Sequence, residues 1–208
     1  MRRYGKILAK KGWRKTLKLT LIRHGITEGN KRSLYYGSTD LPLLPEGIAA
    51  LEESKAQMIY PAAQHYYTSG MLRTEQTFAV LYGQQAHGTL AGLREMDFGD
   101  FEMRTYEELR QDVAFMLWSD QNIATNVCPN GESFALLQKR ALVAIGPVLE
   151  RDEDTVCVVH GGVISCMMTK WFPEGTFRDY MPQPGTGWQV EFEGGKPLGF
   201  KKVPFDAV

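Results

Sequence analysis

The stretch LTLIRHGITEGN, residues 19–30, passes from an apolar strand pattern directly into an Arg23-His24-Gly25 turn. A second stretch, TVCVVHGGVIS at residues 155–165, repeats this arrangement with His160-Gly161 before a helical pattern. In open α/β sheets, ligands bind outside the carboxyl ends of the strands. Glycines at such ends permit tight turns and let backbone N–H groups approach an anion closely. We therefore expect the two strand ends to bring His24 and His160 to one crevice.

Short apolar runs alternate with helical patterns along the chain. This alternation predicts a three-layer α/β/α sandwich with a mostly parallel central sheet and a C-terminal hairpin that turns at Gly194-Gly195. The other predicted strands are Lys18–Arg23, His65–Thr68, Thr89–Leu93 and Thr155–His160. The predicted helices are Glu46–Ile59, Leu72–Leu81, Tyr106–Trp118, Glu132–Leu149 and Val163–Trp171, the fourth of which should kink or end at Gly146-Pro147.

The composition fits one domain and no membrane span. The 208 residues are 43% apolar and 23% charged, and no apolar run approaches the roughly 20 residues that a bilayer requires. The first 18 residues carry eight basic and no acidic side chains. We therefore divide the chain into a basic N-terminal extension, residues 1–17, and a single domain, residues 18–208. A solvated arm without a specific partner is favoured over one that binds nucleic acid.

The cysteines favour a reducing compartment. Three cysteines are an odd number and too few for a disulfide scaffold. Cys157 and Cys166 lie in apolar contexts, which favours small buried hydrophobic residues, and Cys128 has no reactive-looking neighbour. The basic N-terminal stretch lacks the continuous apolar centre of a secretory signal. These features predict a cytoplasmic location.

Residues 94–131 interrupt the alternation of strands and helices with aromatic and polar side chains. Such an excursion between a strand and the next core helix is typical of a lid over a site. We call it the 94–131 region.

Two arginines indicate an anion site. Arg23 ends the first buried strand, and Arg73 lies about one turn into the helix that begins in TSGMLRTEQTF, residues 68–78. Guanidinium groups present a planar fork of donors that suits phosphate oxygens. Together the two would clamp a phosphoryl group, the alternative being a pair of surface salt bridges.

Four carboxylates compete for a general-acid role in LREMDFGDFE, residues 93–102. They are Glu95, Asp97, Asp100 and Glu102. A carboxyl group beneath an aromatic cover can serve as a general acid because desolvation favours its neutral form. Spacing alone does not choose among the four. His65 and His87 have no comparable context and are interpreted as structural or exposed.

Four motifs, in order, resemble those of the histidine phosphatases, the superfamily related to the cofactor-dependent phosphoglycerate mutases. The resemblance extends over residues 18–203. The motifs are Arg23-His24-Gly25 followed by Thr27 and Asn30; Ser69, Arg73 and Thr77; Leu93, Glu95 and Gly99; and His160, Gly161 and Gly162. Three positions depart from the family pattern: Ile26 replaces a frequent Glu, Gly70 a frequent Pro, and Met103 a common Gly.

The resemblance implies a mechanism and a set of roles. His24 would be the nucleophile that forms a phosphohistidine, and Glu95 the general acid and base. Arg23, Arg73, His160 and Asn30 would stabilise charge on the transferring group. Gly161, Ser38 and Thr39 would complete the substrate site. No metal or other cofactor is implied, because arginines supply the positive charge.

Two hypotheses from other classes compete with this assignment. His24, His160 and Glu95 formally make a two-histidine, one-carboxylate metal set, although two arginines at the same spot repel a divalent cation. The other hypothesis is a phosphate-binding module without activity.

The expected substrate is a small phosphomonoester with one phosphate. Thr105 to Gln138 carries one basic against five acidic residues, which is poorly suited to a second anionic group. A phosphatase is therefore favoured over a mutase. The motifs look most like the α-ribazole-phosphate phosphatases, and a broad-specificity sugar or nucleotide phosphatase is the alternative. A monomer or homodimer without membrane or nucleic-acid partners is expected.

Overall fold

The computed structural model describes residues 16–207. Its strands are β1 Thr16–Arg23, β2 Leu34–Tyr35, β3 Met58–Ile59, β4 His65–Thr68, β5 Gly88–Thr89, β6 Arg104–Thr105, β7 Thr155–Val159, β8 Gly187–Glu193, β9 Lys196–Val203 and β10 Phe205–Asp206. Its α-helices are α1 Glu28–Lys31, α2 Pro45–Gln57, α3 Leu72–Tyr82, α4 Tyr106–Leu109, α5 Val113–Trp118, α6 Phe134–Leu149 and α7 Gly161–Trp171. Short 3₁₀ helices occupy Ala91–Leu93 and Gly99–Phe101.

Six strands form the central sheet in the order β5-β4-β7-β1-β8-β9. The β5–β4, β4–β7 and β7–β1 pairs are parallel, whereas β8 is antiparallel to β1 and β9 to β8. In the hairpin turn, Gly194 and Gly195 have φ values of 56° and 75°, a left-handed conformation that glycine adopts at little cost. The predicted mostly parallel sheet and C-terminal hairpin are confirmed.

The sheet separates two apolar layers because side chains alternate along its strands. Leu19 and Leu21 of β1 pack in one cluster with residues of α6 and α7, including Val163. Ile22 points to the opposite face and packs in a second cluster with residues of α2 and α3, including Phe78. The predicted three-layer sandwich is therefore confirmed.

The predicted strand Thr89–Leu93 is largely wrong. The strand β5 contains only Gly88 and Thr89, and Ala91–Leu93 is a 3₁₀ helix. At Gly92 an added Cβ would lie 2.6 Å from the Cβ of Ala144, so the chain turns there to pack against α6. Burial of Leu93 in the core therefore comes from a turn rather than from a longer strand.

The predicted helix Tyr106–Trp118 is two helices. Thr105 caps α4 through a reciprocal pair of bonds with Glu108, and Asp112 caps α5 by accepting from the N–H of Ala114. Two N-caps seven residues apart start the helix twice.

The helix α6 runs through Pro147 to Leu149, so it does not end at Gly146-Pro147, and the predicted kink there stays a prediction. Pro147 has no N–H to donate to the carbonyl of Val143, one turn earlier. Val143 is 70% exposed, so water can reach that carbonyl, and only the last turn of the helix is affected.

Aromatic residues of the 94–131 region form a packed cluster. Phe101, Phe115 and Trp118 are buried in the cluster that covers one sheet face, and their rings meet edge to face or tilted. The ring of Tyr35, which lies on β2, meets the rings of Phe115 and Trp118 edge to face. The role of the 94–131 region as a movable lid stays a prediction.

The basic N-terminal extension lies outside the described residues except at Thr16 and Leu17, which begin β1 two residues before the predicted start. The three cysteines are free and buried, as expected of small hydrophobic residues. Burial raises the pKa of the Cys157 thiol to about 12, which keeps it unreactive. Among residues 16–207, no helix has the length and apolar character needed to cross a bilayer.

Candidate active site

The register of β1 against β7 brings the two histidines together. Arg23 is paired with Val159, so His24 and His160 are the next residue on each parallel strand. Their ring centroids lie 5.2 Å apart, with the rings edge to face. Both side chains are buried. The single crevice expected from the sequence is therefore present.

His24 has a fixed tautomer. Its Nδ1 lies 2.7 Å from the carbonyl oxygen of Gly25, and a carbonyl oxygen only accepts, so Nδ1 carries the proton. The Nε2 atom therefore presents a lone pair. Burial, and then the positive charges of Arg73 and Arg23, hold the pKa of His24 well below its usual value. The imidazole is neutral near pH 7, as a nitrogen nucleophile must be.

Both ring nitrogens of His160 form hydrogen bonds. Its Nδ1 accepts from the Nε–H of Arg73 at 3.2 Å, so Nε2 carries the proton and donates to Ser69 Oγ at 2.8 Å. Burial, followed by the charge of Arg73, holds the pKa of His160 well below its usual value. His160 cannot donate to a substrate without giving up its bond to Ser69.

The spacing Ser-x-x-x-Arg-x-x-x-Thr serves both histidine turns. Residues four apart share one face of a helix, so Arg73 and Thr77 lie on one face of α3, and Ser69 lies in the turn before α3. Ser69 and Arg73 hold His160, as described above. Thr77 accepts from the N–H of Gly25 at 2.9 Å and so fixes the turn behind His24.

Arg73 lies one layer beneath the pocket wall. It is fully buried and donates to the carbonyl oxygens of Thr39 and Gly37 at 3.0 and 2.9 Å. Its guanidinium also lies 5.1 Å from the centre of the Tyr36 ring. The predicted clamp of Arg23 and Arg73 on one phosphoryl group stays a prediction. Arg73 acts on His160 through a hydrogen bond and on His24 through its charge.

Arg23 is the arginine that reaches the pocket wall. Its Nη1 donates to the carbonyl oxygen of Pro182 at 2.9 Å, which fixes the guanidinium. The Nε–H is buried and has no acceptor within residues 16–207. A buried donor without an acceptor is costly, and a phosphate oxygen would satisfy it.

Of the four candidate carboxylates, Glu95 is the one on the pocket wall. Its two oxygens accept from the N–H groups of Met96 and Gly162, each at 2.9 Å. The contact with Gly162 joins it to the His160 turn, and an added Cβ on Gly162 would lie 2.5 Å from Glu95 Oε1. A larger residue there would displace the Glu95 carboxylate. Asp97 instead accepts from the N–H of Gly99, and Asp100 from the side-chain amide of Asn130.

Glu102 has a structural role. It accepts from the N–H groups of Gly37, Ser38 and Thr39, and from the Thr39 hydroxyl at 2.6 Å. The structure does not place Ser38 and Thr39 on the pocket wall. In place of the predicted substrate contact, they form the loop whose carbonyl oxygens hold Arg73.

Arg140, on α6, fixes the loop that carries Glu95. Its guanidinium donates to the carbonyl oxygens of Gly92, Arg94 and Glu95 at 2.6 to 2.9 Å and to both oxygens of Glu132. Such a bidentate pair holds geometry more rigidly than a single contact. Glu132 is in turn bonded to the N–H of Asp97.

Asn30 and Tyr36 complete the wall near His24. The Oδ1 atom of Asn30 accepts from the N–H and hydroxyl of Thr27, so its Nδ2 donors remain for the pocket it lines. The Tyr36 hydroxyl donates to Thr27 at 2.7 Å, and its ring lies edge to face with that of His24. Gly161, at the start of α7, also lines the pocket, where an added Cβ would lie 3.2 Å from the Arg23 Nε.

The resulting cavity has a volume of about 480 Å³. Arg23 and Glu95 are the two residues on its wall that carry a formal charge, since His24 is neutral. His65 and His87 lie elsewhere, paired with Glu153 and Glu75, as expected of structural or exposed side chains.

A metal site does not fit this geometry. No group of three or more His, Cys, Asp or Glu side chains suited to a metal ion occurs in the described part of the chain. His160 has no lone pair to offer, because its Nδ1 accepts from Arg73 and its Nε2 carries a proton.

Sequence reasoning missed several functional positions. Glu132, just before α6, and Arg140, within α6, are eight residues apart and bonded to each other. Both also form hydrogen bonds to a loop some 40 residues earlier in the chain. Phe177 and Met181 reach the pocket from a segment without any motif. Tyr36 had a signal, since it stands in the YYGSTD stretch that supports the family resemblance.

Two of the three departures from the family pattern have a local explanation. Gly70 has a φ of 79°, which proline cannot adopt. Met103 has a φ of 61°, in the left-handed region that favours glycine, so the chain tolerates modest strain there. The third departure, Ile26, has no structural explanation. Its backbone carbonyl accepts from the N–H of Leu44.

Residues 19–198 match the model of the histidine phosphatase superfamily (branch 1). The chain therefore belongs to that superfamily and is a hydrolase of phosphate esters. It is 29% identical over 161 residues to the adenosylcobalamin/alpha-ribazole phosphatase of Salmonella typhimurium, covering 74% of this chain and 79% of the relative. It is also 29% identical over 187 residues to the sedoheptulose 1,7-bisphosphatase of Saccharomyces cerevisiae, covering 77% and 69%.

The fold matches solved structures as well. A putative alpha-ribazole-5'-P phosphatase from Escherichia coli superposes with a TM-score of 0.78 at 22% identity, covering 92% of this chain and 96% of that one.

Proposed function

We propose that this protein is a metal-independent phosphomonoesterase that works through a phosphohistidine on His24. The observation that carries the proposal is the tautomer of His24, whose Nδ1–H is held by the Gly25 carbonyl. This leaves the Nε2 lone pair in the crevice beside Arg23, whose buried Nε–H has no acceptor within the described residues. A nucleophile and a donor for its target thus meet at one point.

The reaction has two balanced steps. In the first, His24 Nε2 attacks phosphorus, the bond from phosphorus to the ester oxygen breaks, and protonated Glu95 gives its proton to the leaving alcohol. In the second, a water oxygen attacks phosphorus while the Glu95 carboxylate takes a proton from it. The phosphorus–nitrogen bond breaks, phosphate leaves, and both side chains return to their starting states.

Arg23 and Asn30 stabilise the transferring group in this proposal. Their donors line the cavity and stay in place during reaction, so little reorganisation is needed. Arg73 and His160 act beneath them. Arg73 keeps His24 neutral and orients His160, and the His160 turn holds Glu95 through the Gly162 N–H.

The finer proposal concerns the substrate, a small metabolite with one phosphate, of which α-ribazole 5'-phosphate is the first candidate. Its support is the similarity to the Salmonella relative and a cavity wall on which Arg23 is the one formally cationic residue. A mutase or bisphosphatase needs further cations for a second anionic group. In the 94–131 region, Arg104 is paired with Asp112 and Arg110 with Glu107.

The test is turnover of phosphomonoesters in EDTA, with quenching in alkaline detergent to trap a base-stable, acid-labile phosphoenzyme. Full activity in EDTA and a label on His24 are expected. Activity that disappears in EDTA would revive the metal hypothesis, and substrate binding without label or turnover would indicate a phosphate-binding module. For the substrate, kcat/KM is compared among α-ribazole 5'-phosphate, ribose 5-phosphate, a nucleoside monophosphate and 3-phosphoglycerate. The last two would report the nucleotide phosphatase and mutase alternatives.

A further inference from the structure

A second cavity of about 680 Å³ adjoins the phosphate pocket. Five residues line both cavities and so form the passage between them: Tyr35, Tyr106, Phe134, Phe177 and Met181. We call the second cavity the side chamber. Its volume lies in the range of about 300–1,000 Å³ that is typical of small-molecule sites. Neither the proposed nucleophile nor the proposed acid lines it.

The walls of the side chamber are largely apolar. Beyond the shared residues, they are formed by Phe115, Trp118, Ser119, Ile123, Ala124, Ala135, Gln138, Cys166, Thr169 and Arg178. The hydroxyl of Thr169 and the amide nitrogen of Gln138 are bonded to backbone carbonyls, which reduces the polar groups available to a ligand. At the rim, Tyr106 is 56% and Ile123 37% exposed. Exposed apolar side chains around a cavity mark a binding site.

Within residues 16–207, Arg178 is the one residue on the walls of the side chamber that carries a formal charge. Arg178 is exposed, and its guanidinium forms no hydrogen bond or ion pair with any residue of the described chain. No carboxylate lines the chamber. A cationic group would therefore be repelled, whereas an aromatic ring could stack on the guanidinium.

The rings of the passage have a fixed arrangement. Phe134 stacks on Trp118 at 6.1 Å and meets Phe177 edge to face at 5.0 Å between ring centres. Aromatic walls held by such packing favour a flat, apolar guest. A polyol guest would lose more hydration of its hydroxyl groups than the few polar groups of these walls could replace.

We propose that the side chamber binds the leaving alcohol, and that the preferred substrates are phosphomonoesters whose alcohol carries a bulky aromatic ring system. The proposal rests on the proposed function, because it requires the phosphoryl group to lie against His24. The phosphate then occupies the first cavity and the ring passes between Tyr35 and Phe134 into the second. Sugar phosphates are poorer substrates for this reason.

The experiment compares phenyl phosphate with biphenyl-4-yl phosphate, two aryl esters whose leaving groups have similar acidity. The wild-type kcat/KM should favour the larger ester by about tenfold or more, since the extra ring is buried in an apolar site. Ala135 on α6 is exposed and lines the side chamber, so Ala135→Trp should fill it and bring this ratio close to one. Ala124→Trp, at the lining residue whose carbonyl accepts from the Ala135 N–H, is a second filling variant should the first not fold.

The matched control is Val143→Trp. Val143 is an exposed residue of the same helix that does not line either cavity, so the ratio should stay at the wild-type value. A wild-type enzyme with no preference between the two esters, or filling variants that fold and keep the full preference, would overturn the side-chamber proposal. Both outcomes would leave the phosphohistidine label intact, whereas failure of the proposed function itself would show as absence of that label.

Discussion

The turns after β1 and β7 have similar sequences and different chemistry. Each brings a buried histidine with a lowered pKa to the same crevice. His24 uses one ring nitrogen for a backbone carbonyl and keeps the other free. His160 has both nitrogens bonded to side chains, Arg73 and Ser69, that α3 and the strand before it supply.

The difference shows that a motif identifies a position but not a role. In the proposed mechanism the turn after β1 supplies the nucleophile. The turn after β7 supplies a frame in that mechanism, because both nitrogens of its histidine are bonded and the N–H of Gly162 holds Glu95. Five experiments test this contrast.

The largest effect is expected for His24→Ala. Loss of the nucleophile should lower kcat/KM by about 10⁴-fold or more and abolish the phosphoenzyme, as judged by turnover and alkaline-quench labelling. His87→Ala is the matched control, since His87 pairs with Glu75 away from the pocket. Substantial turnover or label in the His24 variant would end the assignment of the nucleophile.

Glu95→Gln should separate good from poor leaving groups. A general acid contributes about 10²–10⁴-fold, and it matters most when the departing oxygen is basic. We expect a large loss in kcat for alkyl phosphates and a much smaller loss in the phosphorylation step for aryl phosphates. Equal losses for both classes would show that Glu95 does not protonate the leaving group.

His160→Gln should lower kcat by about 10²-fold, the typical effect of removing one preorganised polar group. In contrast to His24→Ala, the phosphoenzyme should still form, more slowly, in rapid-quench labelling. Ser69→Ala, which removes the acceptor of the His160 Nε2–H, should reproduce part of the loss. If the His160 variant forms no phosphoenzyme at all, the two turns are not as different as proposed.

Arg140→Lys should lower kcat by about tenfold and change KM little, because an ammonium group cannot reproduce a fork that bonds three carbonyls and Glu132. The loss should be larger for alkyl than for aryl phosphates, which a merely structural defect would not produce. Arg151→Lys, at an exposed arginine bonded to Tyr67, is the control.

The smallest effect concerns stability. Burial, and then nearby arginines, hold the pKa of both histidines below the unfolded value of about 6.5. Below that pH the unfolded chain binds protons that the folded protein does not. The free energy of unfolding should therefore fall as pH drops below about 6.5, by up to about 1.4 kcal/mol per pH unit for each histidine. Urea unfolding between pH 5 and 8 measures this slope, and His24→Gln should reduce it.

Much of the fold was predictable from local pattern. The apolar runs of β1, β4 and β7, and the helices α2, α3 and α7, appear within two residues of their predicted bounds. The errors fall where local signals compete. Asp112 starts a new helix inside the apolar pattern of Tyr106–Trp118, and Gly92 turns the chain against α6 inside an apparent strand.

The sequence predicted which residues lie near the crevice better than it predicted which of them line it. The motifs named His24, Arg23, Glu95, Asn30 and Gly161, all of which line the cavity. They also named Arg73, Ser38 and Thr39, which lie behind it. A linear pattern records that a residue is near the crevice. Whether its donors face the crevice or the protein depends on partners elsewhere in the chain, such as Glu102.

By itself the sequence indicated an anion site at two His-Gly strand ends, and the four motifs that resemble those of the histidine phosphatases implied phosphoryl transfer there. Tertiary structure alone decided which histidine is free to react. A hydrogen bond to the Gly25 carbonyl leaves one lone pair on His24, and bonds from distant Arg73 and Ser69 use up His160. Tertiary structure also decided the shape of the site beyond the phosphate pocket. The side chamber is built from segments between Tyr35 and Met181 that meet only in the folded chain.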